Sequence, residues 1–328
     1  MSLSEIIITF PLSENEYYKD VSPSPVPVQE LSISQIRLSP EFSDMMSYMR
    51  GLLRDNERSN RTLSLAVEIV KFVPTLYMVW GVIRDCIVEM DLPSKDFLLL
   101  VDKLTMKKQK VYQLWTMRTF LIEREFVRLS EQYSGEEYTT RLSTLLNSEL
   151  SIINYCLKSD TKSYHAWSYR IKFIDMSLAV LNDKKITFLE EQLSYSENLI
   201  VGDFHNNSAW SFRQTLIKRL SEFQDIYSNE IKWLCKILTE SGICNESAAS
   251  YLFWLLETLE IALNEISFFD LIESYVCADG LHNMGLKCQF VEYCSDNNVL
   301  PELMVRVLDN LIEFDEPRKS YWLTFKDT

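Results

Sequence analysis

Along most of this chain the apolar residues recur every three or four positions, the period of a helix with one buried face. From Pro40 onward Phe42, Met45, Met46, Met49, Leu52 and Leu53 keep that spacing, with Ser39 or Ser43 placed to cap the helix. Asp55-Asn56-Glu57-Arg58-Ser59 reads as a connection. The next helix carries Leu63, Leu65, Ala66, Ile69 and Val70 and should end near Pro74, because proline has no N–H to give to the helix ladder. Leu92-Pro93-Ser94 marks a further turn, and Pro301 stands where it would open one of the last helices. Residues 1–36 break the pattern. Ser22-Pro23-Ser24-Pro25-Val26-Pro27 favours an extended path, so this stretch reads as a Pro-rich arm outside the core, a candidate for disorder on its own, ahead of a helical domain over 37–328.

Within the helical domain a short block repeats. It reads Leu76-Tyr77-Met78-Val79-Trp80, then Val111-Tyr112-Gln113-Leu114-Trp115 with Arg118, Ser163-Tyr164-His165-Ala166-Trp167 with Arg170, and Asn206-Asn207-Ser208-Ala209-Trp210 with Arg213. Asn245-Glu246-Ser247-Ala248-Ala249 is a decayed fifth copy. The tryptophans are 35, 52 and 43 residues apart, with 39 more to Ala249, which accommodates two helices and their turns per step. Extra residues in such arrays usually sit in loops, here expected near Ser130 to Tyr138 and near Asp183-Lys184-Lys185. A helix pair cannot bury its own apolar face, so a large flat ring in one register should fill the groove against the next pair. Ser163, Asn206 and Asn245 are candidates to cap the tryptophan-bearing helices, whereas Leu76 and Val111 cannot cap theirs.

Composition narrows the chemistry. The chain has 328 residues, 47% hydrophobic, with only seven glycines, which suits long helices around a sizeable core. A net charge of -14 argues against binding to nucleic acid or anionic membrane through the phosphate backbone or headgroups. The seven cysteines are odd in number and scattered, without a C-x-x-C pair, the pattern of reduced thiols in a cytoplasmic protein. His165, His205 and His282 are not at ligand spacing, so no metal site is expected from this chain alone. No stretch reads as a membrane span, since Glu68, Lys71 and Pro74 interrupt the most apolar one, and no basic leader precedes the first apolar run.

Tyrosine, two residues, tryptophan, two residues, arginine in these blocks resembles the prenyltransferase α-subunit repeat. Phe42-Ser43-Asp44, Tyr48-Met49-Arg50, Asp55 to Ser59 and Arg318-Lys319-Ser320-Tyr321-Trp322 are similar to segments of the α subunit shared by farnesyltransferase and geranylgeranyltransferase type I. The resemblance spans about residues 37 to 325 and departs at Ile83, where arginine comes one place late at Arg84, at Ala249, and at Thr116-Met117. It implies an all-α fold, an α-α superhelix in which helical hairpins form a crescent around a β subunit. That β subunit would hold the zinc. The implied reaction moves a farnesyl or geranylgeranyl group from its diphosphate, with magnesium a candidate companion, to the cysteine of a C-terminal C-a-a-X protein. By the same resemblance Lys110 reaches the diphosphate, Gln113 receives the peptide carboxylate, and Tyr77, Tyr112, Tyr164 and His165 line the shared pocket. From residues alone, Lys107, Lys108 and Lys110 also suit a helix C-terminus without catalysis. The α subunit of the Rab-type geranylgeranyltransferase and a non-catalytic helical scaffold are the alternatives.

Overall fold

The computed structural model describes residues 6–25, 38–241, 245–278, 280 and 282–326. Among these it contains fifteen α-helices and no strand. They divide into two compact units, Met1–Val180 and Leu181–Thr328. The first holds α1 (Pro40–Arg54), α2 (Asn60–Phe72), α3 (Tyr77–Glu89), α4 (Ser94–Lys107), α5 (Tyr112–Gln132), α6 (Gly135–Ser159) and α7 (Tyr164–Val180). The second holds α8 (Lys185–Gly202), α9 (Asn207–Leu220), α10 (Tyr227–Ser241), α11 (Glu246–Leu259), α12 (Phe269–Val276), α13 (Met284–Asn297), α14 (Pro301–Phe314) and α15 (Lys319–Thr324).

The helix borders follow local chemistry. Ser39 caps α1 by accepting from Phe42 N–H at 3.2 Å, and Asn206 and Asn245 cap α9 and α11 in the same way. Ser163 does not: it is buried before α7 and its hydroxyl oxygen has no hydrogen-bond partner. The long tryptophan steps also have a different origin from the expected loops. Only Tyr133 and Ser134 separate α5 from α6, and the additional residues lengthen those helices to 21 and 25 residues. Longer helices keep every added backbone group paired, which a loop cannot do without water.

One turn recurs in every tryptophan-bearing hairpin. After α2, α4, α6 and α8 the chain spends four residues before the next helix, and the following indole N–H returns to a carbonyl in that turn. Trp80 donates to Pro74 O at 2.8 Å, Trp115 to Gln109 O at 2.7 Å, Trp167 to Thr161 O at 2.9 Å and Trp210 to Phe204 O at 3.0 Å. Each ring is buried, so the bond satisfies a donor that would otherwise cost about 1–3 kcal/mol. Trp115 and Trp210 then pack against a tyrosine of the following hairpin, Tyr169 at 5.1 Å and Tyr251 at 5.4 Å between centroids.

Three residues past the tryptophan, the arginine is buried between neighbouring hairpins. Arg118 donates to both oxygens of Glu149 at 2.8 and 2.6 Å, and Tyr169 donates to the same carboxylate at 2.6 Å. Burial works to lower the pKa of the Arg118 guanidinium and the Glu149 carboxylate more than reverses this, while burial, then Glu149, raises that of the Tyr169 phenol. Both donors therefore keep their protons. In the second unit Arg213, Glu230 and Tyr251 repeat the arrangement, with the Arg213 guanidinium 3.4 Å above the Trp233 ring. At the matching registers of α3, α4 and α5, all three members are apolar. Ile83, Phe97 and Met117 are buried in one core cluster.

Residues 6–25 depart from the expected arm. Leu12 and Tyr18 are wholly buried against α1 and α2. Tyr18 donates to Arg61 O at 2.7 Å, Arg50 to Ser24 O at 2.6 Å, and Arg61 to Tyr17 O at 2.8 Å. Carbonyls that proline-interrupted chain cannot pair within itself are thus taken by arginines of the helices. Residues 1–5 and 26–36 of the expected arm, together with Arg37 and Cys244, lie outside the described residues.

Two outcomes follow. At Gly51 in α1 a Cβ would stand 2.5 Å from the Ser22 carbonyl oxygen, so Gly51→Ala should displace the docked segment at a cost of about 1–3 kcal/mol. Limited proteolysis should cut residues 6–25 faster in the variant, and an unchanged cleavage rate would contradict the close approach. Glu149→Ala should cost about 3–5 kcal/mol in denaturant unfolding, because it strands a buried guanidinium. The triple change Arg118→Ile, Glu149→Phe, Tyr169→Met, which copies the neighbouring apolar set, should cost less than that single change.

Candidate functional site

The repeated turn sets which residues stand at the open end of each hairpin. Tyr77, Tyr112 and Tyr164 occupy the first position of α3, α5 and α7, three residues before their tryptophans. Standing at the very start of their helices, ahead of the buried tryptophans, the three are 80%, 64% and 77% exposed. That is unusual for rings of this size. A row of large exposed aromatics at equivalent registers marks a surface built to be covered.

Around this row the structure brings three of the sequence-derived candidates together. The His165 ring lies 6.2 Å from Tyr112 and 5.6 Å from Tyr164, centroid to centroid, and all three line a groove of about 400 Å³ between α5 and α7. Lys110 stands in the turn before α5, its side chain 80% exposed and its Nζ 3.6 Å from Asp160 Oδ2. Gln113 is half-buried in the first turn of α5, and Tyr77 lies on the neighbouring α3; these two and Lys110 are outside the groove lining.

The groove has further walls that the repeat blocks did not single out. Thr116, Phe120 and Glu123 continue the Tyr112 face of α5, and Ser168 and Lys172 continue that of α7, with Arg84 entering from α3. Spacing by three and four residues from each tyrosine would have found all but Arg84. An exposed ammonium, phenol hydroxyls and a carboxamide are donors suited to anionic groups. The six described cysteines are free, and burial pushes Cys86, Cys156 and Cys288 up to about 11 and Cys294 to about 12, so these thiols stay protonated and unreactive at neutral pH. Among the described residues, no three histidine, cysteine or acidic side chains come together as metal ligands, and no helix is long and apolar enough to cross a membrane.

Comparison with known proteins follows the repeats. The family described as protein prenyltransferase alpha subunit repeat matches residues 146–177 and 189–220. The chain is 25% identical over 167 residues to the geranylgeranyl transferase type-2 subunit alpha of Saccharomyces cerevisiae, covering 49% of this chain and 46% of that one, so the match spans about half that relative's length. It is 25% identical over 283 residues to the protein farnesyltransferase/geranylgeranyltransferase type-1 subunit alpha of Candida albicans, covering 73% of this chain and 92% of the relative. The fold is that of a chain in the Candida albicans protein geranylgeranyltransferase-I complexed with GGPP, at a TM-score of 0.76 and 20% identity over 93% of this chain and 96% of that chain. The all-α fold, the tryptophan turns and the two matched repeats make the chain similar to proteins built from the prenyltransferase α-subunit repeat.

Proposed function

We propose that this chain is the α subunit of a heterodimeric protein prenyltransferase of the farnesyltransferase/geranylgeranyltransferase type I kind. With a β subunit it would move a farnesyl or geranylgeranyl group from its diphosphate to the cysteine of a C-terminal C-a-a-X protein in the cytoplasm. The observation that carries the reading is the row of exposed tyrosines with Lys110 beside it. Among the two kinds of relative compared above, the match extends over 92% of the farnesyltransferase/geranylgeranyltransferase type I α subunit and 46% of the type 2 one, which favours the former. Zinc, with no ligand cluster among the described residues here, is assigned to the β subunit, and magnesium to the diphosphate.

The chemistry of the residues suits these roles. When the bond from isoprenoid carbon to diphosphate oxygen breaks, negative charge grows on the leaving group, and a fixed ammonium stabilises that state more than the ground state. Lys110 is held by an exposed, long ion pair to Asp160, a type worth about 0–1 kcal/mol, so its ammonium leaves Asp160 for a diphosphate at small cost. Gln113 offers amide N–H groups to a peptide carboxylate without adding charge. Tyr77, Tyr112, Tyr164 and His165 supply ring faces for the isoprenoid and the β subunit.

Copurification gives the first test, since the identity of the coexpressed β subunit that forms a stable complex reports the type. A Rab-type β subunit as the sole stable partner would overturn the type I assignment. In the complex, Lys110→Ala should slow the single-turnover step by about 10- to 100-fold, the rate equivalent of a lost charge-assisted bond, with diphosphate binding nearly unchanged. An unaltered rate would remove Lys110 from the site. Gln113→Ala should raise the peptide Kd by about 5- to 100-fold. Combined with a C-terminally amidated peptide, the double loss should fall well below the sum of the single ones; additive losses would mean that the carboxylate is read elsewhere.

A further inference from the structure

The groove between α5 and α7 carries a second chemistry, two to three helical turns away from Lys110. Arg84, exposed on α3, lies with its guanidinium carbon 4.7 Å above the Phe120 ring, which fixes the plane of the fork. Lys172 lines the same groove from α7, eight positions after Tyr164 and so about 12 Å along the helix. Neither cation forms an ion pair with the described residues. What sets the pair apart is that both cations line one groove with aromatic walls. The other described arginines of the first unit all donate to protein oxygens, as Arg58 does to Asp85, Arg128 to Asp91 and Arg141 to Glu137. Among the described arginines of that unit, Arg84 alone lies on a ring without donating to a protein oxygen.

Glu123 is the one carboxylate lining the groove, so against Arg84 and Lys172 the local balance is one net positive charge. Aromatic walls surround it, namely Phe120, Tyr112 and Tyr164. Once a partner covers such a groove and expels water, a planar guanidinium held on a ring face is a strong bidentate site for a carboxylate. A free diphosphate would instead meet Lys110 at the mouth of the hairpins, where the turn presents it. We propose that Arg84 and Lys172 receive an acidic side chain of the β subunit, so that this groove fixes the register in which the two subunits assemble. The inference rests on the reading of the chain as a prenyltransferase α subunit.

The test measures assembly directly. A labelled farnesyltransferase or geranylgeranyltransferase type I β subunit is titrated with the wild-type chain, with the double variant Arg84→Glu, Lys172→Glu, and with Arg84→Lys, at about 50 and 500 mM salt. Both side chains are exposed, and circular dichroism of each variant checks that it folds. The charge reversal should weaken assembly at least about tenfold at low salt, the gap should narrow at high salt, and Arg84→Lys, which keeps charge but loses the fork, should fall between. Equal affinities, or a weakening that salt leaves unchanged, would overturn the proposed contact while leaving the α-subunit reading intact. Failure of the wild-type chain to bind either β subunit would overturn that reading, and with it the inference.

Discussion

The bond from an indole N–H to a carbonyl six residues earlier closes the four hairpins that keep the repeat tryptophan, at Trp80, Trp115, Trp167 and Trp210. Its effect is geometric. By tying the second helix to the turn that precedes it, the bond fixes how far the helix start stands out, and therefore where its first residue points. Tyr77, Tyr112 and Tyr164 are exposed at the helix starts, while the tryptophans one turn later are buried. A residue that reads as core packing thus also sets the surface chemistry, and the functional face depends on the same ring that closes the repeat.

Between hairpins, a layer of buried charge carries the second constraint. Arg118 with Glu149 and Tyr169, and Arg213 with Glu230 and Tyr251, each join one hairpin to the next through a carboxylate that accepts from two partners. Buried ion pairs add little net stability, because desolvation offsets their attraction, but they penalise any register in which a member lacks its partner. The junction of α3 with α4 and α5 meets the constraint another way. Ile83, Phe97 and Met117 replace all three members, and the site stays buried without a stranded charge. The missing arginine at position 83 is therefore one third of a concerted exchange.

Charge distribution links packing to function. The chain is acidic overall and most of its described arginines donate to carboxylates or carbonyls, so a groove lined by Arg84 and Lys172 against the single carboxylate Glu123 contrasts with the rest of the chain, and Lys110 is held only by a long, exposed ion pair. Steering of an acidic partner toward this face would follow from that contrast rather than from net charge, which repels acidic molecules.

Local pattern sufficed where one residue's chemistry decides the outcome. The helices, their caps at Ser39, Asn206 and Asn245, the opening of α14 at Pro301 and the tryptophan repeat are all legible in the sequence, because periodicity and capping act within a turn or two of chain. Tyr112, Tyr164 and His165 were singled out with Tyr77 by the family resemblance, and the structure brings the first three, but not Tyr77, to one groove. Other features needed the third dimension. Ser163 has the right residue for a cap but a buried, unpartnered hydroxyl; the long repeat steps went into helix length, where backbone groups pair with each other; and residues 6–25 docked because arginines far along the chain took carbonyls of Tyr17 and Ser24. Arg84 reached the groove from a third helix by lying on Phe120, thirty-six residues away in sequence. Sequence by itself determined the repeat and its period, which are local; tertiary structure alone decided which polar groups found partners, because that depends on the chain brought alongside.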